Sequence, residues 1–503
     1  MNFQFDSTGI LLILLMILLT LSIYLFMAWR QSKEIKTINS YFIADRNLLP
    51  RQLKATYLGT NITFTNILIA LAAYSYLNGI KTFWILIWWL AGMGFFYWIF
   101  PKISWFFKKG QTLHEFLGES YNSYKLRRIA SLATVTIFIG TIGLELYGGQ
   151  LLLMKLGFLD KTYSITIALF IALILVVYTV LGGFKITVRT DIIQIVLIGI
   201  SLAIIVYALI TFSPNINTNP QINQSNPFSI KNLFIDPIWI ISMLFLFFPF
   251  QLCVMDMWQR CTAVGGKVGF IKNMLKIDSL GFIVAYSIPV VMGIFVSISG
   301  LKLENENDAF FAVLINGIGP IFIGLVYVGL FAAMLSTADT LLICAAHSLV
   351  RDTWATLKNL NLDNLSDEQE NKLVISVRLW TVVVGLASVS IMFLFNFFSL
   401  YELIIAVFSA QIIFFIPILF AIFKPKFCSK RSLSPRLSIL VGLFIPIITI
   451  IIGKYVINDK VVIDSAPIVG FIISSIVFFS FLPVKNISSQ KRKNNLQNGG
   501  TEC

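Results

Sequence analysis

The chain is 503 residues long, 57% hydrophobic and only 12% charged. Apolar runs of bilayer-crossing length recur along almost all of it, which excludes a soluble globule and reads as an all-α, multi-pass membrane protein. The net charge of +14 does not imply a nucleic-acid partner, because the basic residues gather in alternate loops, the positive-inside pattern.

The first run, about 9–29, follows a leader without a basic residue and precedes Arg30, Lys33 and Lys36. That arrangement predicts a signal-anchor with the N-terminus outside rather than a cleaved signal. Further spans are expected near 50–77, 82–106, 126–156, 161–181, 188–212, 237–262, 276–299, 319–348, 372–395, 399–423, 436–457 and 463–483, about 13 in all. Arg46, Arg51 and Lys54, then Lys108, Lys109, Arg127 and Arg128, then Lys424, Lys426, Lys430 and Arg431, and finally Lys491, Arg492 and Lys493 fall in inner loops and the tail. The organisation reads as an N-terminal helix and inner loop (1–40), a five-helix group (41–212), an outer loop (213–236), a second five-helix group (237–423), two C-terminal helices (424–484) and a cytoplasmic polar tail (485–503). Five is odd, so the second group enters the membrane from the opposite face, as an inverted repeat requires.

The span from Leu49 to Leu77 is unusual because Thr60, Asn61, Thr63, Thr65 and Asn66 crowd its middle. Gly59 followed by β-branched residues weakens the helix there, and an unwound turn would free carbonyls to face a cation. The alternative is a polar helix packed inside a bundle. The stretch from Gly329 to Asp352 places Ala332, Ala333, Ser336, Thr337, Asp339 and Thr340 in the middle of another span, at helical spacing on a shared face. Hydroxyls alone can bond back to their own helix. A carboxylate at membrane depth needs protein or a wet cavity around it. Such oxygen-rich, close-packed geometry suits a hard cation.

Glu145, Asp191 and Asp256 are the other intramembrane acids. Asp191 can be a helix N-terminal charge, and Asp256 stands four residues before Arg260, the spacing of a helical ion pair. His347 and Cys344 read as packing residues. The five cysteines are odd in number and mostly apolar in context, and with two histidines they offer neither a disulfide framework nor a metal cluster. P-loop, HExxH and GxSxG motifs are absent, so nothing points to an enzyme.

Several stretches resemble the sodium/solute symporter family: YFIADRNLLP (41–50), GQTLHEFLG (110–118), YTVLGGFKITVRTDIIQ (178–194), WQRCTA (258–263) and AAMLSTADTLL (332–342). The resemblance implies a LeuT-like fold, two inverted five-helix repeats plus flanking helices, and a principal sodium site of backbone carbonyls and paired hydroxyls. By position these are Gly59, Ile62 and Ala333 with Ser336 and Thr337. Some relatives bind a second sodium. The corresponding residues are Asp191, Asp339 and Thr340, where one hydroxyl is replaced by a carboxylate, so the place is a second cation or a proton site. Substrate-facing positions map onto Asn61, Thr63 and Asn66, with Glu145 and Gln251 as further wall candidates.

An apolar Ile85 stands where sugar and sialic-acid carriers have Glu or Gln, which favours an amino acid, urea-like amide or small carboxylate over a sugar. The expected function is uptake of such a small organic solute across a plasma or bacterial inner membrane, driven by one or two Na+ and without an organic cofactor. A proton-coupled carrier on the same fold is the alternative. A solute sensor is the other, disfavoured by the short polar stretch after Val484.

Overall fold

The computed structural model describes residues 7–35, 37–155, 161–212, 233–360, 362, 365–428 and 431–481. The expected polar tail and most of the expected outer loop lie outside the described residues. Every regular element among those described is helical. After α1 (Ser7–Ser32) comes a broken helix, α2 (Pro50–Asn61) and α3 (Ala70–Asn78), joined through a π-helical turn over Phe64–Ile69. There follow α4 (Phe83–Ile103), the short α5 (Leu113–Ser120), the long α6 (Tyr124–Met154) and α7 (Lys161–Thr211).

The same order then recurs. A second broken helix, α8 (Pro237–Phe247) and α9 (Met255–Ala263), precedes α10 (Val268–Ile298), the short α11 (Ala309–Gly317), the long α12 (Pro320–Ser348) and α13 (Asp367–Met392). Next are α14 (Leu400–Gln411) and α15 (Phe415–Phe423), then the flanking α16 (Leu433–Ile452) and α17 (Lys460–Ser480). Both broken helices start on a proline at their first turn, where its missing N–H costs nothing.

Among the described residues, 11 helices are long and apolar enough to cross a membrane. The thirteen spans expected from the sequence are therefore not thirteen continuous helices. Two of the 11, Phe64–Ile103 and Thr162–Thr211, are 40 and 50 residues long. At 1.5 Å per residue each exceeds a hydrocarbon core of roughly 30 Å. Each is interrupted at a glycine with positive φ, Gly79 (φ 59°) and Gly183 (φ 55°). At Gly183 a side chain would also strike the Tyr41 carbonyl, 2.7 Å from an ideal Cβ.

The bundle is layered. In the most apolar part of the α12 span 83% of residues are buried, and in α6 78%, against 28% in α1 and 39% in α17. The long third helix of each group thus forms the centre, and α1, α16 and α17 present apolar faces outward. The site lies where α2, α7 and α12 meet.

Candidate functional site

The first break follows directly behind the weakened stretch. The backbone of α2 leaves the helix at Ile62 (φ −87°, ψ 77°), and Thr63 is extended (φ −81°, ψ 147°). Carbonyls freed there find partners on other helices: Thr337 Oγ1 donates to the Thr60 carbonyl at 2.9 Å and Tyr286 OH to that of Asn61 at 3.3 Å. The next half begins with the Thr65 N–H, which donates to Glu145 Oε2 at 3.2 Å, while Asn66 Nδ2 donates to Glu145 Oε1 at 2.6 Å. Glu145 therefore caps the restart of the helix, a negative charge at a helix N-terminus.

The small residues let α2, α7 and α12 touch. An ideal Cβ on Gly59 would lie 3.0 Å from Ser336 Oγ and 3.8 Å from Asp191 Oδ1. Ser336 donates to Asp191 Oδ1 at 2.5 Å, and Thr337 Oγ1 lies 3.2 Å from the Ala333 carbonyl while bonding to Thr60. Gly59, Ala333, Ser336 and Thr337 are thus brought together, with Ile62 at the kink three residues further on. The hydroxyls and carbonyls are buried and supply the hard, oxygen-only donors that suit Na+.

One turn deeper, Thr340 Oγ1 pairs with Thr60 Oγ1 at 3.1 Å, and Asp339 Oδ2 accepts from Tyr178 OH at 2.8 Å. Asp191 and Asp339 are fully buried, and Asp191 Oδ2 and Asp339 Oδ1 have no hydrogen-bond partner.

A small cavity of about 40 Å³ opens beside the break, lined by Asn61, Thr63, Asn66, Trp89, Asp256 and Gln411 among others. With ~10–15 Å³ per water, this space holds roughly three waters. The three polar residues expected on its wall are there. Glu145 and Gln251 are not: Glu145 caps the restart, and Gln251 accepts from Tyr57 OH at 2.8 Å behind the wall.

Sequence reasoning found Arg260 only as the ion-pair partner of Asp256 and missed its contacts with α2. It is fully buried, donates to Asp256 Oδ2 at 2.6 Å as the spacing predicts, and also donates through Nη2 to Thr60 Oγ1 at 2.6 Å and to the Thr56 carbonyl at 2.8 Å. It clamps α9 onto the end of α2. The second break was missed as well, since a continuous span was expected over 237–262. The chain instead leaves α8 at Phe248, makes one further helical turn over Phe250–Cys253 and breaks at Val254, which is extended (ψ 128°). Pro249, which can neither donate an N–H nor fit a helix interior, was the available signal.

At the basic end of the bundle, Glu115 on α5 is held by Arg351 (3.1 Å) and Arg127 (3.5 Å). Burial alone would raise its carboxyl pKa; the two guanidiniums reverse that and hold it below the ordinary carboxylate value. Arg127 also pairs with Asp352 at 2.7 Å, joining α5, α6 and the end of the α12 span.

The family model described as Sodium:solute symporter family matches residues 41–438. The chain belongs to the sodium:solute symporter family. It is accordingly a secondary transporter coupling sodium to the movement of a small solute. Among solved structures, a Na+-coupled sialic acid symporter in a substrate-bound, outward-open state shares the fold. The TM-score is 0.68 at 19% identity, over 92% of this chain and 97% of that one. At that identity the likeness speaks for the LeuT-like architecture alone. A nucleobase-cation-symport-1 family transporter in a closed conformation with bromovinylhydantoin bound is more distant, at TM-score 0.48 and 13% identity over 90% and 98% of the two chains. Among curated proteins, none matches the chain by sequence.

Proposed function

We propose that this symporter binds its principal Na+ between the break after α2 and the middle of α12. The ligands are the carbonyls of Gly59, Ile62 and Ala333 and the hydroxyls of Ser336 and Thr337. The observation that carries this is the placement of Ser336 and Thr337 directly against the α2 backbone at Gly59 and Thr60. An ion there ties the broken helix to α12, so its arrival and departure bias the packing of the two repeats (41–212 and 237–423) and drive alternating access.

The solute occupies the adjoining cavity along Asn61, Thr63 and Asn66. The small volume, and the buried apolar Ile85 one turn before Trp89 of the wall, favour a compact solute over a sugar. Asp191, Asp339 and Thr340 form a second cation site. One charge crossing 100 mV yields about 2.3 kcal/mol, and a tenfold sodium gradient about 1.4 kcal/mol more. One ion therefore supports a few-hundred-fold accumulation, and two ions about its square. The N-terminus is outside and the C-terminus cytoplasmic, in a plasma or bacterial inner membrane.

The test is a thermal-shift titration of the purified protein with Na+ against K+ at constant ionic strength. Binding to the folded state alone adds about 2.7 kcal/mol at a hundred times Kd. A sodium-specific rise in Tm that disappears in the Ser336→Ala/Thr337→Ala double variant is the expected result. A wild type indifferent to sodium overturns the site and leaves proton coupling through Asp339, whose free oxygen is the observation favouring that second reading.

A further inference from the structure

The central cavity has a chemical bias that the family relationship does not specify. Among the residues lining it, Asp256 is the one carboxylate, and lysine, arginine and histidine are absent. Arg260 holds only Asp256 Oδ2, at 2.6 Å; Oδ1 is buried without a partner. Three further lining atoms share that condition, namely Thr63 Oγ1, Asn66 Oδ1 and Gln411 Oε1. For Asn66 the orientation is fixed by chemistry, because its Nδ2 donates to the Glu145 carboxylate and the oxygen is what remains. The Thr63 hydroxyl can donate or accept, but unpaired buried carboxylate and amide oxygens are costly acceptors, so the cavity suits a donor-bearing or cationic guest.

The rest of the wall is aromatic. Trp89, Phe250, Tyr286 and Phe408 line the cavity, with ring centroids 4.9 Å apart for Trp89–Phe250, 5.6 Å for Trp89–Tyr286 and 5.3 Å for Phe250–Phe408. Aromatic rings and a carboxylate lining one cavity are the residue types that hold ammonium groups. The surrounding charge points the same way. Three acids, Asp191, Asp256 and Asp339, are buried in this region with Arg260, which among them bonds directly only to Asp256. A carboxylate solute, by contrast, would meet no cation among the lining residues; Arg260 stands behind them with both Nη atoms committed to Asp256, Thr56 and Thr60 and only its Nε unpaired.

We propose that the transported solute carries a cationic nitrogen, anchored by Asp256 and enclosed by Trp89, Phe250, Tyr286 and Phe408. This rests on the reading of the cavity as the solute site. Trp89 Nε1, a buried donor without a partner, suits an acceptor at the solute's other end.

The experiment uses the full-length protein in saturating sodium and follows Tm with choline and ethanolamine. The controls are the uncharged carbon isostere of choline, urea and acetate. The proposal expects at least one organic cation to raise Tm beyond sodium alone and the three controls to do nothing. Choline alone identifies a quaternary ammonium preference, and ethanolamine a protonated amine. Asp256→Asn should weaken the half-saturating concentration by about tenfold or more while leaving the response to sodium intact, and Asp256→Glu should recover part of it. If Asp256→Asn does not fold, Phe250→Leu and Phe408→Leu take its place, with cation binding weakened and the sodium response kept.

Urea or acetate stabilising the protein where the cations do not, no response to either cation, or variants that bind them as well as wild type would each overturn the proposal. A wild type that ignores sodium itself defeats the coupling reading instead, and the two failures are thus read separately.

Discussion

Asp339 differs from the hydroxyl that family resemblance leads one to expect, and the difference has a measurable consequence. A hydroxyl contributes a lone pair to a cation, whereas a carboxylate contributes a full charge. With Asp191 on the facing helix, and one oxygen of each acid unpartnered, the pair is better suited to a second ion than either would be alone. If Na+ binds there during transport, the Hill coefficient for sodium-driven uptake should fall from about two to about one in Asp191→Asn. Uptake by that variant with an unchanged Hill coefficient would eliminate the second ion. Ser336, Thr337 and Asp339 were legible in the sequence because polar oxygen at membrane depth is anomalous and demands a partner. Arg260 was not, since a nearby Asp256 accounted for its charge completely. Its contacts with Thr56 and Thr60 span about 200 positions and have no local signature.

Helix packing around the second break depends on one close approach. A Cβ on Gly92 of α4 would come within 2.5 Å of the Phe248 carbonyl and 3.0 Å of that of Phe247. Those carbonyls belong to the C-terminal end of α8, shortly before the break, and Trp89, less than one turn away, forms part of the cavity wall. Gly92→Ala should therefore force α4 away from the break at a cost of about 1–3 kcal/mol, lowering Tm and raising the solute KM. Gly94→Ala, with nothing within 4 Å of its Cβ, is the matched control and should behave like wild type. Equal Tm and KM in both variants would show that the contact is unimportant. The first break could be read from the sequence because its polar cluster stands out against an apolar span. The second, at Val254, follows the Phe-rich LFLFFPF, 244–250, where every neighbour is apolar and a single proline is the only clue. Prolines are tolerated in membrane helices often enough that it did not compel a break.

Across the whole molecule, charged side chains pair unequally at the two ends of the bundle. Described basic residues from loops expected to be inside, Arg46, Arg127 and Arg351, gather at one end of the bundle. There Arg46 Nη2 donates to the Lys109 carbonyl at 2.7 Å and the arginines clamp Glu115 and Asp352. At the other end the pairs are more dispersed, Lys81 with Asp236 and Lys454 with Glu402. A helix interrupted at Gly79 or Gly183 keeps its hydropathy while changing course, so continuous apolar length alone does not give the number of spans. Orientation can be settled by cysteine chemistry. Cys253, Cys261, Cys344 and Cys428 are buried and should remain unreactive, so introduced thiols report cleanly once Cys503 is replaced by serine. Glu304 and Lys358 are exposed and lie beyond opposite ends of the segment from α11 to α12. With the N-terminus outside, a membrane-impermeant maleimide should label Glu304→Cys in intact cells and Lys358→Cys only after permeabilisation. The reverse pattern would invert the topology and place the Glu115–Arg351 cluster outside. Labelling of both positions in intact cells would mean that the α12 span does not cross the bilayer. Either result would also redirect the sodium gradient relative to the site, because the face from which Na+ enters fixes whether coupling drives uptake or export.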